Sequence, residues 1–451
     1  MYQKILIANR GEIAVRIIRA CREMGILTVA ICSTADKEAL HAQLADECIC
    51  IGPAKVKDSY LNMEQILSAA VVTGAQAVHP GFGFLSENTK FARMCRQCGI
   101  DFIGPSPECI EKMGDKAEAR KTMVKAKVPV IPGTKDALRD CAQAKKLADE
   151  IGYPLIIKAA AGGGGKGMRV VNRASEFESQ FAMAQRETIQ AFGDDQMYME
   201  KYLEHARHVE VQILGDQHGN IIHLGERDCS IQRRHQKMIE ETPAYALDEK
   251  LRRKMGEAAV RAAKAVGYYS AGTVEYLVDI NQQFYFMEMN TRIQVEHPVT
   301  EMVTGVDLIQ KMIRIAAGEE LKLRQQDVQV RGHAIECRIS AENPDRGFMP
   351  CAGTVSNIYL PGGNGVRVDS LLYNGCEIPP YYDSMLAKVI VCGETRDEAI
   401  RKMKSALGEL IIEGITTNRD FQYSLIEGSA FQNGDVDAIN AELEERCRKA
   451  C

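Results

Sequence analysis

The sequence predicts an α/β protein with added α+β elements, in about three domains. Three observations support this. The chain has 451 residues, enough for a large core and a cleft between units. Its amino-terminal part alternates short apolar runs with segments of helical period, the pattern of a parallel sheet covered by helices. The segment FYFMEMNTRIQVEHPVT, Phe284 to Thr300, starts as an apolar strand and goes on with ionisable or amide side chains at alternate positions.

In order along the chain, KILIA (4–8) predicts a buried strand, followed by a turn at Asn9 to Gly11 and a helix from Glu12 that stops at Gly25. ILTVAIC predicts a second strand, and QAVHPG another after a helical segment near Met63 to Val72. The outline is Rossmann-like, but no G-x-G-x-x-G follows the first strand, so dinucleotide binding does not follow. After Gly114 a helix begins with Asp115 as N-cap and Glu118 at capping-box spacing, which puts Lys116 in the first turn. Beyond Pro129 and Pro132, a helix ending near Gly152 leads into the strand YPLIIKAA, the loop AGGGGKG and the strand MRVV, a hairpin-like flap. Further strands are predicted at QMYMEKYL, HVEVQIL and NIIHLGERD, with a helix near Lys250 to Val266. A third unit opens near Arg331 with the alternating strand HAIECRIS, crosses Gly/Pro-rich turns and closes with the helix DEAIRKMKSALGEL.

Composition excludes several function classes. A net charge of -5 provides no field to attract nucleic acid or an anionic membrane. No run approaches the roughly 20 apolar residues of a membrane span. The start, MYQKILIANRGEIA, has too short an apolar segment for a signal peptide, so a cytoplasmic location is expected. The 15 cysteines then read as reduced thiols. Cys95 and Cys98 form a C-x-x-C with no second pair at zinc spacing, so no metal role is assigned to them.

The chemistry concentrates near residue 290. An extended backbone sends alternate side chains to opposite faces, so a strand running through this segment would line up Glu288, Asn290, Arg292, Gln294 and Glu296. Met287, Met289, Thr291, Ile293 and Val295 would fill the other side. A solvated face accounts for alternation alone; the apolar lead-in argues instead for burial, where a polar row needs partners. A divalent cation at Glu288 and Asn290, aided by Glu275 on the preceding strand, and an anion at Arg292 would supply them. The glycines before Lys166 would let backbone N–H groups approach an anion, though this is no Walker A loop, lacking G-K-[ST] and leading to a strand. Lys158, ending the strand before that loop, suits phosphate neutralisation. His208 and Glu210 share a face by strand period, a pairing that is more often simply exposed. Arg233, Arg234, His235 and Lys237 make a basic cluster whose bland reading is a solvated run.

Together these motifs resemble the biotin carboxylase family of ATP-grasp enzymes. The resemblance rests on IANRGEIA, HPGFGFLSEN, IGPS, GDK, KAAAGGGGKGM, MEKYLEHARHVEVQI, ERDCSIQRRHQK, FMEMNTRIQVEHPVTE and RGHAIECRI, and spans nearly the whole chain. It implies a Rossmann-like domain over 1–114, an ATP-grasp domain over 115–330 with a mobile lid at about 131–203, and a carboxy-terminal biotin carboxylase domain over 331–451. It further implies ATP held by Lys116, Lys158, Gly163, Gly164, Gly165, Glu200, Lys201, Tyr202, Leu203, His208 and His235, with Mg²⁺ or Mn²⁺ at Glu275, Glu288 and Asn290. Bicarbonate would lie against Lys237, Arg292, Gln294 and the backbone of Val295, Glu296 would be the general base, and Arg338 would meet biotin. The implied reaction is MgATP-dependent carboxylation of biotin N1 by bicarbonate through carboxyphosphate. No A-M-K-M biotinyl motif occurs, so biotin is expected on a separate biotin carboxyl carrier protein, with carboxyltransferase subunits and a homodimer as the assembly. The final acceptor, acetyl-CoA, another acyl-CoA or pyruvate, is not written in this chain. Rival readings are another ATP-grasp ligase of the carbamoyl-phosphate kind and a catalytically silent nucleotide-binding regulator.

Overall fold

The computed structural model describes residues 1–134, 136–159, 168–193 and 195–449. Gly163, Gly164, Gly165 and Lys166 lie outside the described residues. The chain forms two compact units, one of residues 1–128, 207–276 and 288–451, the other of 129–206 and 277–287.

The larger unit begins with five parallel strands, β1 (Lys4–Ile7), β2 (Leu27–Cys32), β3 (Glu47–Cys50), β4 (Ala77–His79) and β5 (Asp101–Phe102), in the order β3-β2-β1-β4-β5. Helix α1 (Gly11–Glu23) follows β1 and buries Ile13, Ala14, Ile17 and Ile18 at helical spacing. Strand order reverses between β1 and β4, where an open α/β sheet leaves a crevice at its carboxyl ends. Asn9, just beyond β1, donates from Nδ2 to the carbonyls of Pro80 and Phe82, both at 2.7 Å, and so shapes the loop that follows β4. Gly81 in that loop has φ +62°, and a Cβ there would lie 3.0 Å from Asn9 Nδ2 and 3.1 Å from Ile13.

The smaller unit holds β6 (Leu155–Ala159), β7 (Arg169–Val171) and β8 (Met197–Lys201) as an antiparallel sheet in the order β7-β6-β8. The predicted hairpin strands pair, with Ile157 opposite Arg169. Helices Cys141–Ile151 and Phe177–Phe192 accompany it, and Leu155, Ile157, Phe177, Phe181, Met197 and Met199 form its own core.

The second sheet of the larger unit contains β9 (Arg207–Gly215), β10 (Ile221–Arg233), β11 (Gln236–Thr242), β12 (Ser270–Val278), β13 (Phe284–Asn290), β14 (His333–Ser340) and the strands Val366–Ser370 and Met385–Gly393. Its order is β13-β12-β9-β10-β11-β14, then 385–393, then 366–370. β11 and β14 pair antiparallel, Glu240 opposite Glu336, so one sheet runs across the domain boundary expected near residue 330. On one face, Ile335, Cys337, Ile339, Val389 and Val391 pack against helices Arg396–Glu409, Arg419–Glu427 and Val436–Lys449. DEAIRKMKSALGEL is therefore not the last helix. Phe421 with Leu425, and Ile439 with Leu443, are apolar pairs at helical spacing that continue the covering layer beyond it.

The opposite face is charged and nevertheless buried. Lys388 is fully enclosed, its Nζ 2.8 Å from the Val295 carbonyl, 3.2 Å from Glu12 Oε1 and 3.8 Å from Asp369 Oδ2. Glu301, on the helix His297–Thr304, takes Arg367 at 2.7 Å and Arg16 of α1 at 3.2 Å. Helices, not water, cover this face, so each charge needs a partner within the layer. Among the described residues no helix is long and apolar enough to cross a membrane.

Replacing Lys388 by Met would strand Glu12 without its cation, while Asp369 keeps the bidentate Arg367 at 2.7 and 2.9 Å. The expected loss is roughly 3–5 kcal/mol by urea unfolding. Adding Glu12→Gln should return part of it; a Lys388→Met midpoint equal to the parent's would contradict the pairing.

Candidate active site

β13 stops at Asn290, so Arg292, Gln294 and Glu296 are not on the strand expected of them. The chain turns through residues 291–296 and enters the helix His297–Thr304, with Glu296 at its N-cap and Pro298 in the first turn. Glu87, from the loop after β4, takes the Thr291 N–H at 3.0 Å and so occupies a donor that a longer strand would have offered to a ladder. The predicted groups still converge, through a turn rather than a pleat. Arg292 donates from Nη1 to Gln294 Oε1 at 2.6 Å, and from Nε to Glu87 at 2.9 Å. Gln294 and Asn290 in turn donate to Glu275 Oε1 at 3.1 and 2.7 Å.

Lys237 is the centre of the site. Its Nζ lies 2.6 Å from Glu210, 2.7 Å from Glu296 and 3.0 Å from Glu275. Crowding three carboxylates around one ammonium needs further cations, and the strands supply them. Arg227 of β10, opposite Glu210 of β9, reaches it through Nε at 2.6 Å, and His208 lies 2.8 Å from Glu275. Burial raises the free energy of charged Glu275, but Lys237 and His208 more than reverse this and hold its pKa below the ordinary value. Burial likewise pulls His208 down, and Glu275 overturns it, leaving the pKa raised. The surroundings of β9 thus make His208 and Glu210 a buried pair rather than an exposed one.

Glu296 closes the ring. Besides Lys237 it meets Arg338 Nη2 at 2.9 Å, and although burial opposes its charge, Lys237, Arg338 and Arg227 hold its pKa well below the carboxylate norm. Arg338 also donates from Nε to Glu240 Oε1 at 2.6 Å. The enclosed carboxylate is ionised and able to accept a proton, but in this arrangement it is a weak base.

Two carboxylates and an amide oxygen at Glu275, Glu288 and Asn290 are hard donors that fit a hard divalent cation. Burial and the neighbouring Glu275 push the Glu288 pKa up, against the pull of Lys116, and a bound cation would relieve that repulsion. Lys116 follows its N-cap Asp115, which accepts from the backbone of Ala117 and Glu118.

In the smaller unit Lys158 and Glu200 form an ion pair with each other, and Lys201 Nζ donates to the Tyr153 carbonyl at 2.8 Å. Tyr202 donates its N–H to the Pro154 carbonyl at 3.1 Å, and Leu203 follows it beyond β8. The basic cluster disperses: Arg233 stacks on Phe348 at 4.4 Å, Arg234 and His235 occupy the exposed turn between β10 and β11 with positive φ, and only Lys237 enters the ring. Sequence reasoning missed Glu87, Arg227 and Glu240. Arg227 stands between Glu226 and Asp228, so no local pattern set it apart as a buried charge.

Family models described as "Biotin carboxylase, N-terminal domain", "Carbamoyl-phosphate synthase L chain, ATP binding domain" and "Biotin carboxylase C-terminal domain" match residues 1–110, 115–324 and 336–440. Fold and site together define an ATP-grasp ligase. The chain belongs to the biotin carboxylase family: it is 59% identical over 438 residues to Biotin carboxylase 1 of Bacillus subtilis, covering 97% of each chain. A Campylobacter jejuni biotin carboxylase in a β,γ-ATP complex superposes with TM-score 0.91 at 52% identity, covering 96% of this chain and 97% of that one. The biotin carboxylase domain dimer of Hydrogenobacter thermophilus 2-oxoglutarate carboxylase, holding MgADP and bicarbonate, gives TM-score 0.89 at 49% identity over 96% of each chain. The chain is accordingly an enzyme that uses ATP to carboxylate biotin.

Proposed function

We propose that Glu296, Lys237, Arg292 and Arg338 carry this reaction, Glu296 as general base, Lys237 and Arg292 as the bicarbonate clamp and Arg338 as the group at biotin. The observation that supports it most directly is the Glu296 carboxylate enclosed between Lys237 at 2.7 Å and Arg338 at 2.9 Å. Bicarbonate entering against Lys237, Arg292, Gln294 and the Val295 peptide competes for the cations that keep Glu296 acidic. As bicarbonate draws Lys237 toward itself, the basicity of Glu296 rises, so proton acceptance is coupled to substrate arrival. The deprotonated anion then attacks the ATP γ-phosphate, breaking its bond to the β-phosphate oxygen, to give carboxyphosphate and ADP; carboxyphosphate breaks down to CO₂ and phosphate, and biotin N1, its proton passed to that phosphate, takes the CO₂. Arg338 stabilises the negative charge that develops on the ureido oxygen of biotin. A divalent cation on Glu275, Glu288 and Asn290 would neutralise phosphate charge.

ATP itself is assigned to Lys116, Lys158, Gly163 to Gly165, Glu200 to Leu203, His208 and His235. Lys158 would have to leave Glu200 to meet a phosphate. Domains over 1–114, 115–330 and 331–451, the middle one with a lid, suit this division of labour. Biotin arriving on a separate carrier protein, a carboxyltransferase partner and a homodimer complete the proposal; the dimeric Hydrogenobacter domain supports the last of these. The 14 described cysteines are all free thiols, which suits the cytoplasm.

Arg338→Gln should lose biotin carboxylation by ~100-fold and bicarbonate-dependent ATP cleavage far less, since one oriented donor is worth about 10²–10³ in rate; equal losses would remove Arg338 from biotin. Glu296→Gln should depress both reactions by about 10²–10⁴, and near-normal ATP cleavage would exclude it as the base. Glu288→Gln should weaken Mn²⁺ binding, followed by electron paramagnetic resonance, at least tenfold while thermal unfolding stays within a few degrees; unaltered Mn²⁺ affinity would place the cation elsewhere.

A further inference from the structure

Arg338 is held from two sides. Glu296 takes Nη2 at 2.9 Å, and Glu240 of β11 takes Nε at 2.6 Å and Nη2 at 2.5 Å through its Oε1 alone. Nη1 has no hydrogen-bond partner among the described residues. The backbone is fixed as well: the Arg338 carbonyl accepts from Gln422 Nε2 at 3.0 Å and from Asn418 Nδ2 at 3.1 Å. Glu240 is fully buried, its Oε2 has no partner among the described residues, and the carboxyl directly across the strand pair belongs to Glu336. A buried carboxylate with an idle oxygen, facing another acid, costs stability, and the folded state tolerates it only where something is gained.

We propose that Glu240 is the positioning residue for Arg338, the anchor that keeps the guanidinium in place when Glu296 accepts a proton and loses its charge. This rests on the reading that Arg338 acts at biotin. While Glu296 is ionised, Arg338 has two carboxylate partners. Once Glu296 takes the bicarbonate proton it becomes a neutral acid, and its attraction for Nη2 falls. Glu240 then carries the guanidinium by itself, through Nε and Nη2, and Nη1 is left to meet the oxygen of biotin. Burial pushes Glu240 up to about 7, against the pull of Arg338, with Glu296 adding repulsion and Lys237 opposing it. Neutralising Glu296 removes that repulsion, so Glu240 gains charge as Glu296 loses it. The two carboxylates exchange the duty of counterion without moving Arg338.

The experiment compares Glu240→Gln, Glu240→Asp and Arg338→Gln in the full chain, with free biotin as acceptor and bicarbonate-dependent ATP cleavage measured without biotin. Glu240→Gln keeps volume and an acceptor oxygen and should fold; it should lower kcat/KM for biotin at least tenfold, with the KM for ATP within threefold of the parent. Glu240→Asp, which restores the charge at shorter reach, should recover a measurable part of the biotin loss. Wild-type kcat/KM for biotin in Glu240→Gln would overturn the proposal, and so would parallel losses in both reactions with no recovery by Asp. If Arg338→Gln separates the two reactions and Glu240→Gln does not, only the positioning role fails. If Arg338→Gln itself loses both equally, the assignment of Arg338 fails and takes the anchor with it.

Discussion

A layer of carboxylates buried away from water governs this structure, and Lys237, Arg338 and Lys388 are the cations that make it possible. Each sits within hydrogen-bond or ion-pair reach of several acids: Lys237 of Glu210, Glu275 and Glu296, Arg338 of Glu240 and Glu296, Lys388 of Glu12 and Asp369. In a medium of low polarity such clusters persist only when geometry satisfies nearly every group. That demand fixes the turn after β13, the N-cap of the following helix and the face of the sheet beneath it. A site of this kind is rigid before substrate arrives, and its cations are already placed where anions must go.

The link between the parallel sheet and the site follows from the same demand. The loop after β4 is shaped by Asn9 and by the glycine at 81, and it ends by delivering Glu87 to Arg292 and to the Thr291 amide. Without that carboxylate the guanidinium of Arg292 would keep only its neighbours Asn290, Gln294 and the Ile293 carbonyl. The switch point of the first sheet thus acts on chemistry sited at the edge of the second, through one side chain.

Much of this was legible in the sequence, for reasons that differ from residue to residue. KILIA and ILTVAIC give a parallel pair because their apolar runs are buried on both faces, which the alternation with helical segments already required. Asp115 is a helix cap by local chemistry alone. The row from Glu288 to Glu296 was found by alternation, yet the structure gathers it by a turn; the spacing located the residues and misstated the geometry. HAIECRIS alternates cleanly, but alternation cannot say whether water or a helix covers the polar face. Here α1 and the helix at 297–304 lie over it, so Glu336 and the facing Lys388 are buried and Arg338 is half-buried. The partners of Lys388 and Arg292 come from Glu12 and Glu87, far away in the chain, and no local pattern announces a tertiary ion pair. The edge strands ECIC and Asp101–Phe102 escaped for the opposite reason: short and exposed, they carry little apolar signal.

The acidity of Glu296 resolves an apparent conflict in the site. A general base works best when its pKa is near the working pH, and this carboxylate, proposed as the base, is held well below the ordinary value by Lys237 and Arg338 despite complete burial. The conflict disappears once those cations are counted as part of the reaction. In the proposed mechanism an anion that draws Lys237 toward itself loosens one of the two contacts restraining Glu296, while Arg338 keeps its place on Glu240. Burial, until then opposed, is left as the dominant influence and drives the carboxylate toward protonation. In its proposed role the base is therefore weak in the empty site and gains strength as bicarbonate takes Lys237.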